Sequence, residues 1–463
     1  MSARAAGAGP DSLPSTAGEA LSVADEVEHV LRDGEGAHTF LSRSARRQLS
    51  VDGDGRKRLV VQRGSWGGYV RLAADERELY LSAPALTAGD AAGLVAAGRA
   101  HLHLGAGLPA RAAAELPHAE AADVHEWWNT DRPTGLGELV RDPSGLIDTI
   151  REALGPGAEL RGVQIAEVLG ESVYARSGGA RGHSARRGIE IQAVAGLPGG
   201  GAATALARYA AVQEGIDAAG LARELALTVA GTTGGGEADG PARAFDGDRV
   251  VFTPNAAAQL LSHVTAMLLI SPVARPRPLR TALVDDGHDA DGWAARGFDC
   301  EGTPTGRMEL VDREGVQQPM ATRLHSLAAP EGADTAVRLT GHAHWDGADN
   351  CPTLSPTNIR LAPCGDTRDA LAGEHCVVVD VRSLGVEELR SGGQLAFRLR
   401  MVRVADGRPY EAFAPVSVEG EAVDFLAAVL AVGAPVSYSP GPFATAGATL
   451  VMDLSSLPSR KEV

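Results

Sequence analysis

The sequence predicts an α+β protein in which N-terminal α+β units with antiparallel strands precede a strand-rich C-terminal domain. Short alternating apolar runs at 47–83, separated by Asp-Gly and Gly-Gly turns, predict antiparallel hairpins. Apolar residues at helical spacing predict flanking helices at 20–31 and 86–104. Near the C terminus, two more alternating runs surround Asp406-Gly407, which is a strong hairpin signal. Helices and strands thus occur in mixed order along the chain.

The middle of the chain repeats this pattern. A helix is predicted at 144–154, with Ser144 as its N-cap, and the strands "LRGVQIAEVLG", "ESVYARSG" and "RRGIEIQAVAG" follow it. After a Gly-rich connection, the strand "DRVVFTPN" leads into a predicted helix at 256–270. This helix is largely apolar and carries a lone histidine, His263. One late helix is predicted in "EAVDFLAAVLAVG".

Composition and turn signals divide the chain into segments. The predicted segments are a disordered start at 1–19, an N-terminal α+β unit at 20–105, a loop-rich connection at 106–143, a middle α+β unit at 144–231, a Gly-rich linker at 232–246, a strand-rich C-terminal domain at 247–456 and a tail at 457–463.

Whole-chain properties exclude several classes of partner. The formal net charge of −16 disfavours nucleic acid, because no excess of cations is available to displace phosphate counterions. The first residues lack the apolar region of a signal peptide, and no apolar run approaches the roughly 20 residues that span a bilayer. We therefore expect a cytoplasmic protein without a membrane partner. The four cysteines lack C-x-x-C spacing and are expected to be free thiols.

One fragment has the spacing of a metal site. In "GHAHWDGADNC", His342 and His344 would share one face of a strand, with Asp346 nearby, so that two imidazoles could converge on a cation. Such a pair near a turn is more often solvated or structurally hydrogen-bonded. An independent metal-dependent hydrolase that uses these three residues is therefore an alternative function. No G-x-S-x-G motif, P-loop or strand-coupled G-x-G-x-x-G supports another enzyme class.

Several segments resemble, in their order and spacing, the TldD/PmbA family, also called the modulator of DNA gyrase group. They are "RGSWGGYVRL", "VYARSGG", "DRVVFTPNAAAQLLSHV", "FDCEGTPTGRMELVDREGV", "SPTNIRLAPCGDT" and "SVEGEAVDFLAAVLAVG". The resemblance extends over roughly residues 46–456 and implies a C-terminal domain of TldD/PmbA type. The family contains zinc metallopeptidases that act on extended peptides.

The resemblance also bears on the zinc site. Catalytic TldD members carry H-E-x-x-x-H on the helix after the "VVFTP"-like strand and a cysteine ligand late in the chain, where zinc activates water. Here His263 is followed by Val264, no second histidine follows, and the late segment 437–450 contains no cysteine. The chain is therefore similar to the PmbA or TldE-like branch that lacks the zinc motif. We expect His263 to be a core or interface residue.

That branch implies a non-catalytic subunit, without a catalytic residue, metal ligand or cofactor of its own. It would form a heterodimer with a TldD-like metallopeptidase subunit that holds zinc, and the pair would cleave extended or leader peptides. A peptide-binding protein without a protease partner is a further alternative. Four residues match recurring motif positions and are candidates for supporting a substrate groove, although turn formation and backbone capping are the favoured explanation: Asp299, Glu301, Gly302 and Asn358.

Overall fold

The computed structural model describes most of the chain. The described residues are 16–74, 77–104, 108–109, 124–127, 142–154, 158–196, 202–209, 217–233, 244–289, 291–328, 339–347, 351–384, 394–439 and 443–462. Their mixture of helices and largely antiparallel strands confirms the predicted α+β class. No helix within these ranges is long and apolar enough to cross a membrane.

Eight α-helices occur within these ranges. They are α1 (Ala17–His29), α2 (Ala88–His103), α3 (Ser144–Leu154), α4 (Ala218–Thr233), α5 (Pro254–Ile270), α6 (Arg323–Ala328), α7 (Arg368–Leu371) and α8 (Ala422–Ala427).

The strands of the N-terminal half are β1 (Gly36–Asp52), β2 (Lys57–Arg63), β3 (Gly67–Ala74), β4 (Arg77–Ala83), β5 (Leu108–Pro109), β6 (Val124–Trp127), β7 (Glu159–Arg176), β8 (Arg181–Gly196) and β9 (Ala202–Tyr209). Those of the C-terminal half are β10 (Arg249–Phe252), β11 (Leu283–Asp286), β12 (Arg307–Val311), β13 (Ala343–His344), β14 (Thr353–Leu354), β15 (Asn358–Leu361), β16 (His375–Ser383), β17 (Gln394–Ala405), β18 (Arg408–Ala412), β19 (Val416–Glu421), β20 (Val429–Ser439), β21 (Ala444–Asp453) and β22 (Ser459–Glu462).

The two N-terminal units share one sheet. Strand β1 pairs antiparallel with β7 from His38 opposite Arg176 to Asp52 opposite Gly162. The other edge of β1 pairs with β3 and then with β2, and β7 continues the sheet to β8 and β9. The residues predicted as two strands in the middle unit are therefore the single strand β7.

Alternation along β1 gives this sheet two different faces. Odd-numbered residues such as Leu41 and Leu49 are buried in the cores that α1, α2, α3 and α4 cover. Even-numbered residues, including Ser42, Ser44 and Arg46, line a cavity on the opposite face. The N-terminal sheet thus offers a polar, uncovered face to the rest of the molecule.

The C-terminal domain is built around β21, which pairs with β10, β15 and β20. Strand β10 continues in parallel to β16, and β17, β18, β19 and β22 follow by antiparallel pairing. Helix α5 packs on this sheet and begins after Thr253, whose hydroxyl accepts a hydrogen bond from Ala256 N. The predicted hairpin at Asp406-Gly407 is confirmed, and both residues have positive φ.

Several predicted boundaries need correction or lie outside the described residues. The predicted tail at 457–463 is wrong in part, because Ser459–Glu462 forms β22 and pairs with β19. Helix α1 begins at Ala17, inside the stretch predicted to be disordered, of which residues 1–15 lie outside the described ranges. Most of the predicted connection at 106–143 and of the linker at 232–246 also lies outside those ranges.

Candidate functional site

A groove separates the polar face of the N-terminal sheet from loops of the C-terminal domain. Its cavity has a volume of about 770 Å³, within the usual range for ligand pockets of about 300–1,000 Å³. One wall consists of residues from β1, β7 and β8. The opposite wall, which we call the C-terminal wall, is formed by residues 293–300 and 344–347. The sheet face and these loops therefore enclose a candidate binding site.

The charged side chains on the sheet side of the groove have partners. Arg46 forms an ion pair with Glu190 at 2.6 Å. The Arg186 guanidinium donates a hydrogen bond to the Trp293 carbonyl oxygen and lies 5.8 Å from the Trp293 ring centroid. Because Trp293 belongs to the C-terminal wall, this contact ties the two walls together.

Asp299 and Gly302 fix the turn that follows the C-terminal wall. Asp299 Oδ1 accepts hydrogen bonds from Glu301 N and Thr303 N, each at 2.9 Å, and Oδ2 accepts from Ala343 N at 3.0 Å. Gly302 has φ 78°, and a Cβ atom there would lie 2.2 Å from the Tyr174 ring. Both residues therefore shape the backbone of this turn, and the Asp299 carboxylate is buried and already hydrogen-bonded.

Glu301 faces a buried polar cluster at the domain junction. Its Oε2 accepts a hydrogen bond from Arg323 N at 2.8 Å, whereas the buried Oε1 has no hydrogen-bond partner among the described residues. Burial, reinforced by Asp299, raises the pKa of Glu301 to about 7. The Arg323 side chain donates to both carboxylate oxygens of Glu78 on β4, at 3.0 and 2.7 Å. This cluster joins the N-terminal sheet to the C-terminal domain.

The Asn358 side chain hydrogen-bonds to the backbone of the C-terminal wall. This side chain is fully buried, donates from Nδ2 to the Asp286 carbonyl at 2.8 Å and accepts from Ala294 N at 2.7 Å. Ala294 lines the groove. Asn358 therefore contacts the wall through the Ala294 backbone and is not among the residues that line the cavity.

His342 makes a buried hydrogen bond with Asp285 that the sequence did not reveal. Its Nε2 lies 2.5 Å from Asp285 Oδ2, and both residues are buried. Asp285 also accepts hydrogen bonds from the backbone N–H groups of Thr357 and Asn358. Burial alone would raise the pKa of Asp285, but the His342 contact and the hydrogen bonds from Thr357 hold it below its usual value.

The alternative metal site at His342, His344 and Asp346 gains no support from this geometry. His342 is bound to Asp285, whereas the His344 Nδ1 atom lies 3.5 Å from an Arg296 nitrogen in the groove. Burial and the nearby Arg296 lower the pKa of His344 to about 4. In the part of the chain that the structure describes, no group of three or more His, Cys, Asp or Glu side chains is placed to hold a metal ion.

Helix α5 does not fit the zinc site that the family's catalytic members carry. His263 lies on the exposed side of the helix, and its ring centroid is 5.6 Å from that of Phe397. The core placement that the sequence allowed for His263 is therefore wrong within this chain. Val264 and Leu268, which match the glutamate and second histidine of H-E-x-x-x-H, are buried in the apolar core. One imidazole cannot define a zinc site.

Sequence reasoning missed Asp285, Arg186 and Arg296. Their partners lie about 50 to 100 residues away along the chain, as in the pairs Asp285–His342 and Arg186–Trp293. No local pattern reports such contacts, because they depend on how the domains meet. An available signal for Asp285 is its place in the acidic pair at the end of a short apolar strand.

Comparisons with known proteins agree with this architecture. Residues 278–455 match a family model described as the PmbA/TldA metallopeptidase C-terminal domain. The structure of TldE from Thermococcus kodakarensis is similar with a TM-score of 0.68 and 14% identity, covering 94% of this chain and 98% of that chain. No curated protein sequence matches the chain.

Two further structures have the same fold. A candidate modulator of DNA gyrase from Thermotoga maritima is 11% identical, with a TM-score of 0.66 and coverage of 94% of this chain and 98% of that chain. Another from Bacteroides thetaiotaomicron is 15% identical, with a TM-score of 0.61 and coverage of 94% and 99%.

Over residues 278–455 the chain therefore matches a PmbA/TldA metallopeptidase C-terminal domain, and the solved structures share its α+β fold.

Proposed function

We propose that this chain is a non-catalytic, TldE/PmbA-like subunit that pairs with a TldD-type zinc metallopeptidase and helps it bind and cleave extended or leader peptides. The observation that carries the proposal is the environment of α5. Val264 and Leu268 occupy the positions of two zinc-site residues, yet both are buried among apolar side chains. A catalytic zinc would have to be supplied by the partner subunit.

The peptide part of the proposal rests on the groove. Its volume suits a segment of several residues, and its sheet side is polar but largely charge-paired. Extended chains present backbone hydrogen-bonding groups whatever their side chains are, so a groove between a sheet and loops can accept varied sequences. A folded protein would not enter it. We place this complex in the cytoplasm as part of the same proposal.

The test is a peptidase assay combined with metal analysis on three samples: this chain, a TldD-type chain with H-E-x-x-x-H from the same genome, and both together. We expect cleavage of an unfolded polypeptide only by the mixture, with zinc in the TldD-type chain. Substitution of the glutamate in the partner's motif should abolish the activity. Metal-dependent cleavage by this chain alone would overturn the proposal.

The remaining alternative is a peptide-binding protein that has no protease partner. Purification of the tagged chain from its native host distinguishes the two. Recovery of a stoichiometric TldD-type subunit supports the heterodimer. Recovery of the chain alone, together with unchanged cleavage rates when both chains are mixed, supports the independent binding protein.

A further inference from the structure

Arg296 is a groove-lining arginine that forms no ion pair with the described residues, although its charge acts on the buried Asp299. Its Nε and Nη2 atoms are buried and have no hydrogen-bond partner within that part of the chain. The remaining contact of its guanidinium is with His344 Nδ1, at the long distance of 3.5 Å. By contrast, Arg46 in the same groove is paired with Glu190. A partly buried cation without an acceptor is energetically costly, and a ligand can relieve that cost.

The chemistry of His344 adds a second donor beside this cation. An arginine only donates hydrogen bonds, so the His344 Nδ1 atom that faces Arg296 must be unprotonated. The proton of the neutral ring then lies on Nε2, in agreement with the lowered pKa of His344. His344 therefore presents an acceptor to Arg296 and keeps an N–H donor for another group.

Nearby carboxylates do not neutralise Arg296 directly. Asp299 is bound by three backbone N–H groups, and Asp346 lies beside His344 with contacts of its own. Within the described ranges neither forms an ion pair with Arg296. The cavity therefore combines a fixed positive charge, a neutral imidazole donor and two tryptophan side chains, Trp293 and Trp345.

We propose that Arg296 and His344 form a carboxylate subsite in the groove, which binds either an acidic side chain of the peptide or its C-terminal carboxylate. This inference rests on the proposed peptide-binding function and adds a substrate preference to it. A guanidinium binds a carboxylate through charge-assisted hydrogen bonds, which are stronger than neutral ones. On the sheet side of the groove, Arg43 and Arg46 are paired with Glu171 and Glu190, and Arg186 donates to the Trp293 carbonyl oxygen.

The test uses the full chain and three short fluorescein-labelled peptides of one neutral composition. The first has a central Gln and an amidated C terminus, the second has Glu in place of that Gln, and the third has the Gln and a free C-terminal carboxylate. Fluorescence anisotropy gives each dissociation constant. We expect one or both carboxylate peptides to bind on the order of tenfold more tightly than the neutral peptide. The peptide that binds more tightly than the neutral one shows whether the subsite prefers a side-chain carboxylate or a C-terminal carboxylate.

Variants separate the subsite from general charge. Arg296→Gln should remove the preference, so that the variant binds all three peptides with equal affinity. Arg296→Lys should retain part of the preference. The control Arg382→Gln removes an exposed arginine that pairs with Asp380, and it should retain the full preference.

Equal binding of all three peptides by the wild type would overturn the subsite and leave the proposed function standing. If Arg296→Gln retains the preference for carboxylate peptides, the subsite is likewise overturned and the proposed function still stands. If no peptide binds to the chain, alone or with its partner subunit, both the subsite and the peptide-binding function fail.

Discussion

The sequence places candidate functional residues in both helix α5 and the C-terminal wall, but the two regions bury different kinds of side chain. In α5, the positions that would carry chemistry in a zinc peptidase are apolar and buried, and the lone imidazole of His263 points outward. The C-terminal wall is supported by buried polar groups, such as Asp299 and Asn358, whose partners are backbone atoms. The difference indicates that α5 stabilises its domain through apolar packing, whereas buried hydrogen bonds fix the backbone of the wall.

The largest expected effect comes from recreating the zinc motif. Val264→Glu combined with Leu268→His gives α5 the pattern H-E-x-x-x-H, but it places a carboxyl and an imidazole in the apolar core. We expect a loss of about 4–5 kcal/mol in the free energy of unfolding, or failure to fold, because neither group has a partner there. Urea denaturation measures this loss.

The matched control is His263→Gln, which changes an exposed position on the same helix and should alter stability by about 0.5 kcal/mol or less. A folded, zinc-binding double variant would contradict the view that these positions belong only to the core.

The second prediction concerns the buried support of the C-terminal wall. Asp285→Ala removes the hydrogen-bond partner of His342 and the acceptor of the Thr357 and Asn358 backbone N–H groups, all of which are buried. We expect a loss of about 3–5 kcal/mol, because several buried polar groups lose their partner at once. Thermal and urea unfolding give the change. Asp366→Ala, at an exposed ion pair with Arg368, should have little effect. Equal effects of the two substitutions would show that the buried network is dispensable.

Much of this architecture is predictable from local patterns. The alternation around Asp406-Gly407 indicates a hairpin because its turn residues favour positive φ, and the apolar run after "VVFTP" indicates the helix α5. The pairing of β1 with β7 is not predictable in this way, because its partners lie more than 100 residues apart. A strand register across that distance depends on the packing of the whole sheet.

The site is less predictable than the fold. The motif positions Asp299 and Asn358 can be found from the sequence, but their backbone partners cannot, since those partners come from other loops. The groove itself has no sequence signature, because its two walls come from separate domains. The unpaired state of Arg296 depends on which of the described groups surround it in three dimensions, and no spacing of residues encodes that arrangement.

The third prediction tests the turn below the wall. Gly302→Ala requires an alanine at φ 78° and brings its Cβ within 2.2 Å of the Tyr174 ring. We expect a loss of about 2–4 kcal/mol from backbone strain and steric overlap together. Gly55→Ala is the matched control, because Gly55 has φ 81° but no described atom lies within 4 Å of the place that an alanine Cβ would occupy.

The control should cost only about 1–2 kcal/mol, since it introduces backbone strain alone. The difference between the two losses, measured by urea unfolding, isolates the contact with Tyr174. Equal losses would mean that the turn can move away from the N-terminal sheet, and the groove would then be less rigid than its hydrogen bonds imply.

The smallest expected effect is a pH dependence at the domain junction. The pKa of Glu301 is raised to about 7 by burial and by Asp299, whereas an unfolded glutamate titrates near about 4.3. Between these values the folded state binds the proton that the unfolded state has released, so stability falls as pH rises and becomes constant above about 7. Glu301→Gln keeps an acceptor for Arg323 N and removes this titration.

The unfolding free energy of the variant minus that of the wild type should therefore increase by about 1–3 kcal/mol from pH 5 to pH 8. Urea unfolding of both proteins at the two pH values gives this difference in unfolding free energy directly. The titration of groups that both proteins share cancels in the difference. A gain that is the same at both values would show that Glu301 is ionised throughout. In that case the buried Oε1 atom must be solvated in solution, and the junction between the N-terminal sheet and the C-terminal wall must be open to water.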